Sequence, residues 1–166
     1  MKTVERPSPF KSSASEMKLH WPVLCLALLI ASCGDFPRDP KGTLARVRSQ
    51  GVFRVGVVTS APDGAAGPEV AALLAGIEKG AGAKARLIKG DAEPMLDQLE
   101  EGELDLVIGR FEKKSPWAKL VTIGPPLRRE MQGKTEFHLA PALRNGENAW
   151  VALVEREVRN AAPDAQ

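Results

Sequence analysis

Beyond residue 42, apolar positions recur at strand and helix spacings in turn. Val52-Phe53-Arg54-Val55-Gly56-Val57-Val58 is nearly continuous in apolar residues, which predicts a buried strand. Thr43 is placed to cap a short helix before it, Leu44 to Gln50, closed by Gly51. After a loop over 59–67, Pro68 suits a first helical position, and Val70, Leu73, Leu74 and Ile77 follow at helical spacing. Residues 84–88 read as a second strand, and 92–101 as a helix with Met95, Leu96 and Leu99 inward. Leu104 to Ile108 reads as a third strand, with Gly109 opening a polar loop. Residues 119–123 and 136–142 read as further strands, and 128–134 as a charged segment without an element. A last helix is expected over 147–159, with Trp150, Leu153, Val154 and Val158 on one face. This order predicts an α/β fold, a mainly parallel sheet flanked by helices. In such a sheet, ligands meet the loops at the carboxyl ends of the strands, here 59–67, 90–93 and 109–117.

The segment before this domain has another pattern. Met17-Lys18 precedes a short apolar run from Val23 to Ala31 that ends on small residues, the form of a secretory signal peptide. The run is about half the ~20 residues that a spanning helix needs. Residues 1–32 are read as this leader, with Met17 as an alternative start. Ile30-Ala31-Ser32-Cys33 resembles the bacterial lipobox, whose cysteine sulfur accepts a diacylglycerol and becomes the new N-terminus. An ordinary signal peptide with an incidental cysteine is the plainer alternative. On the lipobox reading Cys33 anchors the chain to a membrane, through acyl chains worth ~0.8 kcal/mol per buried CH₂. Residues 33–42 are then the lipidated cysteine and a Pro- and Gly-containing tether, and 43–162 a single lobe. The chain would face the periplasm. Gly34 follows Cys33, not the aspartate associated with inner-membrane retention, and Asp35 comes one place later, so both membranes stay open.

Composition narrows the chemistry. Cys25 leaves with the leader and Cys33 closes it, so no disulfide framework or zinc spacing exists. Removing the leader leaves equal numbers of acidic and basic side chains, and no basic patch with interleaved aromatics points to nucleic acid. With two histidines, His20 and His138, a histidine-built catalytic or metal cluster is excluded in practice. No Ser-His-Asp set, phosphate-cradling glycine loop or metal spacing occurs. The chain is therefore read as a non-enzyme without a cofactor.

Several stretches in order resemble one family. TLARVRSQGVFRVGV (43–57), GPEVAALLAGI (67–77), MLDQLEEGELDLVIGRF (95–111) and FHLAPALRNGENAWVALVE (137–155) are similar to segments of bacterial solute-binding proteins of family 3, the amino-acid-type ABC transporter substrate-binding proteins. The resemblance implies one lobe of a type II periplasmic-binding-protein-like fold. It covers nearly all of the chain after the leader. Two departures qualify it. Family members have two lobes around a cleft, whereas only about ten residues, 128–136, stand where the second lobe would be inserted. The family's Thr-x-Thr-x-x-Arg pattern falls on Glu112, Lys114 and Trp117, so its carboxylate-gripping arginine is missing. The loop over 59–67 has no aromatic platform, and the chain has no tyrosine.

Candidate ligand-binding residues are Thr59, Ser60, Arg110, Phe111 and Trp117, all at the carboxyl ends of the first and third strands. Each has a plainer reading. Thr59 and Ser60 are ordinary turn formers. Arg110 either binds an anion or pairs with Glu112 or another exposed carboxylate. Trp117 either stacks on a ligand or partner or packs on the lobe's own sheet edge. Phe111 either lines the cleft or belongs to the core. Glu69, in the first turn of a helix, complements the helix dipole. Two functions follow from the resemblance. One is a lipid-anchored domain that binds a small polar solute for ABC-type transport, alone, with a transporter permease or as a homodimer that rebuilds a cleft. The other is a protein–protein interaction module derived from a solute-binding lobe. A remnant without function is a third outcome compatible with the sequence.

Overall fold

The computed structural model describes residues 39–59 and 67–165. Cys25, Cys33, Ser60 and the leader lie outside them. The described residues belong to one unit, Pro37–Gln166. Its strands are β1 (Val52–Val58), β2 (Lys84–Gly90), β3 (Leu106–Glu112), β4 (Val121–Ile123), β5 (Arg128–Gln132) and β6 (Thr135–Arg144). Its helices are α1 (Thr43–Gln50), α2 (Pro68–Ala81), α3 (Ala92–Glu101) and α4 (Asn148–Ala161).

The strands form one sheet in the order β2-β1-β3-β6-β4, with β5 also on β6. β1 runs parallel to β2 and β3, as its two crossover helices require. β6 returns antiparallel to β3 and pairs on its other side with β4 near its end and β5 near its start. The result is an α/β fold with a mixed sheet flanked by helices, the expected class.

Side chains alternate between the two faces of a strand, so β3 divides the core. Leu106 and Ile108 join Phe53, Val55, Leu73, Ile77, Leu139, Trp150 and Val154 under α1, α2 and α4. Val107 and Phe111 join Met95, Leu96, Leu99 and Ala140 under α3. Trp150 is fully buried, meets Phe53 edge to face at 5.7 Å, and donates its indole N–H to the Asp105 carbonyl at 2.7 Å. Gly56 lets α3 approach, since a Cβ there would lie 2.8 Å from Leu104 Cδ1 and 3.1 Å from Met95 Sδ.

Two buried acids organise the end of the sheet remote from the strands' carboxyl ends. Asp105 is 3 % exposed. Burial alone would raise its carboxyl. Hydrogen bonds from Arg54 and Arg46 side chains and the Arg54 N–H outweigh that and hold it below the usual range. Glu147 is fully buried at the start of α4 and accepts the N–H groups of Lys41 at 2.8 Å and Thr43 at 2.9 Å. Asp39 accepts the Leu44 N–H at 2.8 Å.

Several element bounds differ from expectation for local reasons. Thr43 lies inside α1, and Gly42 occupies the cap with φ 66°. β3 begins two residues later and runs through Gly109 to Glu112, because β6 pairs with it as far as Phe137. Residues 128–132 are a strand. They had no apolar alternation to show it, since most of their side chains are polar. A two-residue turn, Gly133-Lys134, joins β5 to β6. Gly133 has φ 62° at the first turn position, which suits the type II′ form.

Candidate functional site

The carboxyl ends of β1, β2 and β3 share one edge of the sheet with the β5–β6 turn. Antiparallel pairing sets Glu112 opposite Phe137 there, and the Lys113 N–H donates to the Glu136 carbonyl. The first turn of α2 joins the same edge, because Arg128 Nη1 donates to Glu69 Oε1 at 3.0 Å.

On the face shared by Ile108 and Leu139, a chain of charges crosses this edge. Glu69 accepts from Arg128, and Arg128 Nε also donates to Glu130 Oε1 at 3.0 Å. Glu130 Oε2 accepts from Arg110 Nε at 2.9 Å, and Arg110 Nη2 donates to Gln132 Oε1 at 3.0 Å. The Arg110 guanidinium lies 3.6 Å from the centroid of the Phe137 ring, a cation–π contact. The Glu130 carboxylate thus sits between two guanidinium groups. The four charges cancel, and their side chains keep from 15 % to 38 % of their surface exposed. They form an open shelf.

The opposite face is different. Phe111 is 5 % exposed in the core under α3, and Trp117 packs against that core from a single 3-10 turn, Pro116–Lys119. Farther out, Glu136 accepts from Lys113 at 2.8 Å and meets His138 Nε2 at 2.9 Å. The bond from Lys113, then the contact with His138, hold the Glu136 carboxyl down at about 2. A groove of about 320 Å³ opens beside Lys113, Lys114, Lys134 and Glu136.

The structure therefore separates the candidate residues. Arg110 stands on the shelf, and its carboxylate partner is Glu130. Phe111 and Trp117 share the opposite face. Thr59 is exposed at the edge and donates its hydroxyl to the Gly90 carbonyl at 3.2 Å. Ser60 lies outside the described residues. Sequence reasoning missed Arg128, Glu130, Gln132 and Phe137, and gave Glu69 only a dipole role. The available signal was the spacing of two in Arg128-x-Glu130-x-Gln132, which puts all three on one face of a strand. Among the described residues, no group of three or more His, Cys, Asp or Glu is placed to hold a metal ion.

No protein-family model matches the chain, and no curated protein matches it. Solved structures do. The arginine-bound form of domain 1 from TmArgBP aligns with TM-score 0.60 and 16 % identity, over 69 % of this chain and 97 % of that one. The ancestral amino acid-binding protein AncCDT-1, a precursor of cyclohexadienyl dehydratase, aligns with TM-score 0.62 and 12 % identity, over 74 % and 94 %. An amino acid ABC transporter substrate-binding protein from Streptococcus pneumoniae, bound to L-arginine, aligns with TM-score 0.58 and 10 % identity, over 71 % and 91 %. Identities this low speak to fold. The class they define is that of amino-acid-binding periplasmic solute-binding proteins. This chain has the fold of one lobe of that class, as the resemblance in sequence implied.

Proposed function

We propose that this chain is a lipid-anchored, extracytoplasmic solute-binding lobe that takes a small polar solute at its carboxyl-edge shelf and serves ABC-type transport. The observation that carries the reading is the joint one of fold and place. The lobe matches an isolated domain 1 whose structure holds arginine, and its own paired charges gather at the edge where ligands meet such sheets. Arg110 and Arg128 offer donors to a carboxylate, and Glu69 and Glu130 offer acceptors to an ammonium group. A zwitterionic solute can exchange partners with both pairs without leaving a net charge. The Cys33 lipobox supports the anchor. Binding suits these residues better than catalysis, because no nucleophile stands beside a base among them.

One observation favours the rival reading, an interaction module for an envelope partner. Every charge on the shelf already has a partner within the chain. An open shelf also buries less of a ligand than the 70–90 % typical of pockets. Thermal unfolding against a panel of amino acids, organic acids and other polar solutes separates the two. A solute that binds only the folded state adds ~2.7 kcal/mol at a hundredfold excess over Kd. The expected result is a raised midpoint for one class of solute, lost in Arg110→Ala. No shift at millimolar concentrations would favour the interaction module.

A further inference from the structure

The outer edge of β2 lies apart from the shelf and has chemistry of its own. β2 pairs with β1 over its whole length, and among the described residues no strand covers its other side. The Lys84 N–H donates to the Gly51 carbonyl at 2.9 Å, and the Gly90 carbonyl accepts from Thr59 at 3.0 Å. Even-numbered residues of β2 thus turn their backbone polar groups toward β1. Alternation turns those of Ala85, Leu87 and Lys89 outward. Glu78 Oε1 takes the Ala85 N–H at 3.0 Å. Among the described residues, the N–H groups of Leu87 and Lys89 have no hydrogen-bond partner.

The side chains around them form two sets. Leu87 is 53 % exposed and Ile88 37 %, half of the large exposed apolar side chains among the described residues. Their register beside Val55 and Gly56 puts them on opposite faces of the sheet. Arg86 and Lys89 have no ion-pair partner among the described residues. Glu78, the nearby acid, is engaged by Lys84 at 2.7 Å and by Ala85. A groove of about 490 Å³ continues the edge past Ala75, Lys79, Ala83 and Lys84.

We infer that the outer edge of β2 is a strand-addition site for an extended acidic segment of a partner protein. The Leu87 and Lys89 N–H groups bond its backbone carbonyls, as in other strand-addition complexes. Leu87 and Ile88 each cover an apolar side chain of the segment, one per face. Arg86 and Lys89 attract its carboxylates. The same cations oppose a second copy, since antiparallel self-pairing would bring Arg86 and Lys89 of both chains to one seam. The inference goes beyond the solute reading, because none of these residues belongs to the shelf.

The test is amide hydrogen exchange of the full chain, followed residue by residue. The probes are a synthetic octapeptide of Glu-Glu-Val-Val written twice, which puts both residue types on each face of a strand, and its twin with lysine for glutamate. The Leu87 and Lys89 amides should exchange quickly in the free protein, and slow by about tenfold or more with the acidic peptide alone. Leu87→Pro removes an outward donor and leaves the β1 ladder untouched. It should abolish the effect while the Arg86 and Ile88 amides stay protected. If Leu87→Pro does not fold, the double variant Arg86→Glu, Lys89→Glu carries the same expectation. Two results would overturn the inference. One is protection of both amides in the free protein, meaning that the chain itself or a second copy covers the edge. The other is that the two peptides act alike, or that neither acts, at millimolar concentration.

Discussion

At the scale of single residues, two carboxyl groups meet where the chain enters the lobe. Asp39 Oδ1 is buried with no donor to accept from among the described residues. Burial, and then the hydrogen bond it shares with Glu147, push the Asp39 carboxyl up to about 6. The partner is held low, because hydrogen bonds from Asp39, Thr43 and Lys41 outweigh its own burial. Arg46 is the cation that faces Asp39, and its effect is the smallest. From about pH 5 to about 6 the folded pair therefore holds one proton that the unfolded chain has mostly released. There the folded state binds more protons, so this pair's contribution falls as pH rises through about 6. Asp39→Asn keeps an acceptor for Leu44 and a donor for Glu147 without the charge. It should leave stability at pH 5 nearly unchanged and raise it by about 1 kcal/mol at pH 7.5, after allowance for solvent screening. Urea unfolding at both values checks this. An equal change at the two would mean that no shared proton is involved. Neither acid stood out in the sequence, because Asp39 read as tether and Glu147 as the edge of a helix. Arg110 did stand out, at the end of an apolar strand. Its partner did not, because pairing across β6 depends on a register that no local pattern shows.

At the scale of elements, legibility followed apolar content. β1 and the core of β3 were plain from continuous Val, Ile and Leu, and α4 from Trp150, Leu153, Val154 and Val158. β5 was hidden. Its Arg128, Glu130 and Gln132 face the shelf, and Arg129 and Met131 face the other way, so both faces look polar. The elements that could be read also show where packing is tight. Gly56 sits under α3 between Leu104, Met95 and Val107, each within 3.1 Å of where a Cβ would stand. Gly56→Val should cost about 2 kcal/mol through overpacking, seen as a lower urea midpoint with an unchanged slope. A neutral result would mean that α3 shifts away freely, and that the second core is loosely packed.

At the scale of the whole molecule, the β5–β6 turn is the decisive feature. Two residues, Gly133 and Lys134, join β5 to β6, in the segment where the family resemblance would insert a second lobe. The carboxyl edge therefore has no facing wall from this chain among the described residues, and on the proposed reading a solute would meet a shelf rather than a closing cleft. On the lipobox reading Cys33 keeps the lobe near a membrane. No helix among the described residues is long and apolar enough to cross one. Cys33→Ala should move the protein from the membrane fraction to the soluble fraction and abolish labelling by a fatty acid analogue. Retention with no labelling in the unaltered chain would favour an ordinary signal peptide.

The proposed function stands on solute binding at the shelf itself. Its most direct test is a titration of backbone amide chemical shifts with L-arginine and then with the rest of the solute panel. Saturable shifts are expected for one class of solute, centred on Thr59, Glu69, Arg110, Arg128 and Glu130, with the α1 and α4 amides unmoved. Saturable shifts elsewhere, or none with any solute at millimolar concentration, would contradict it.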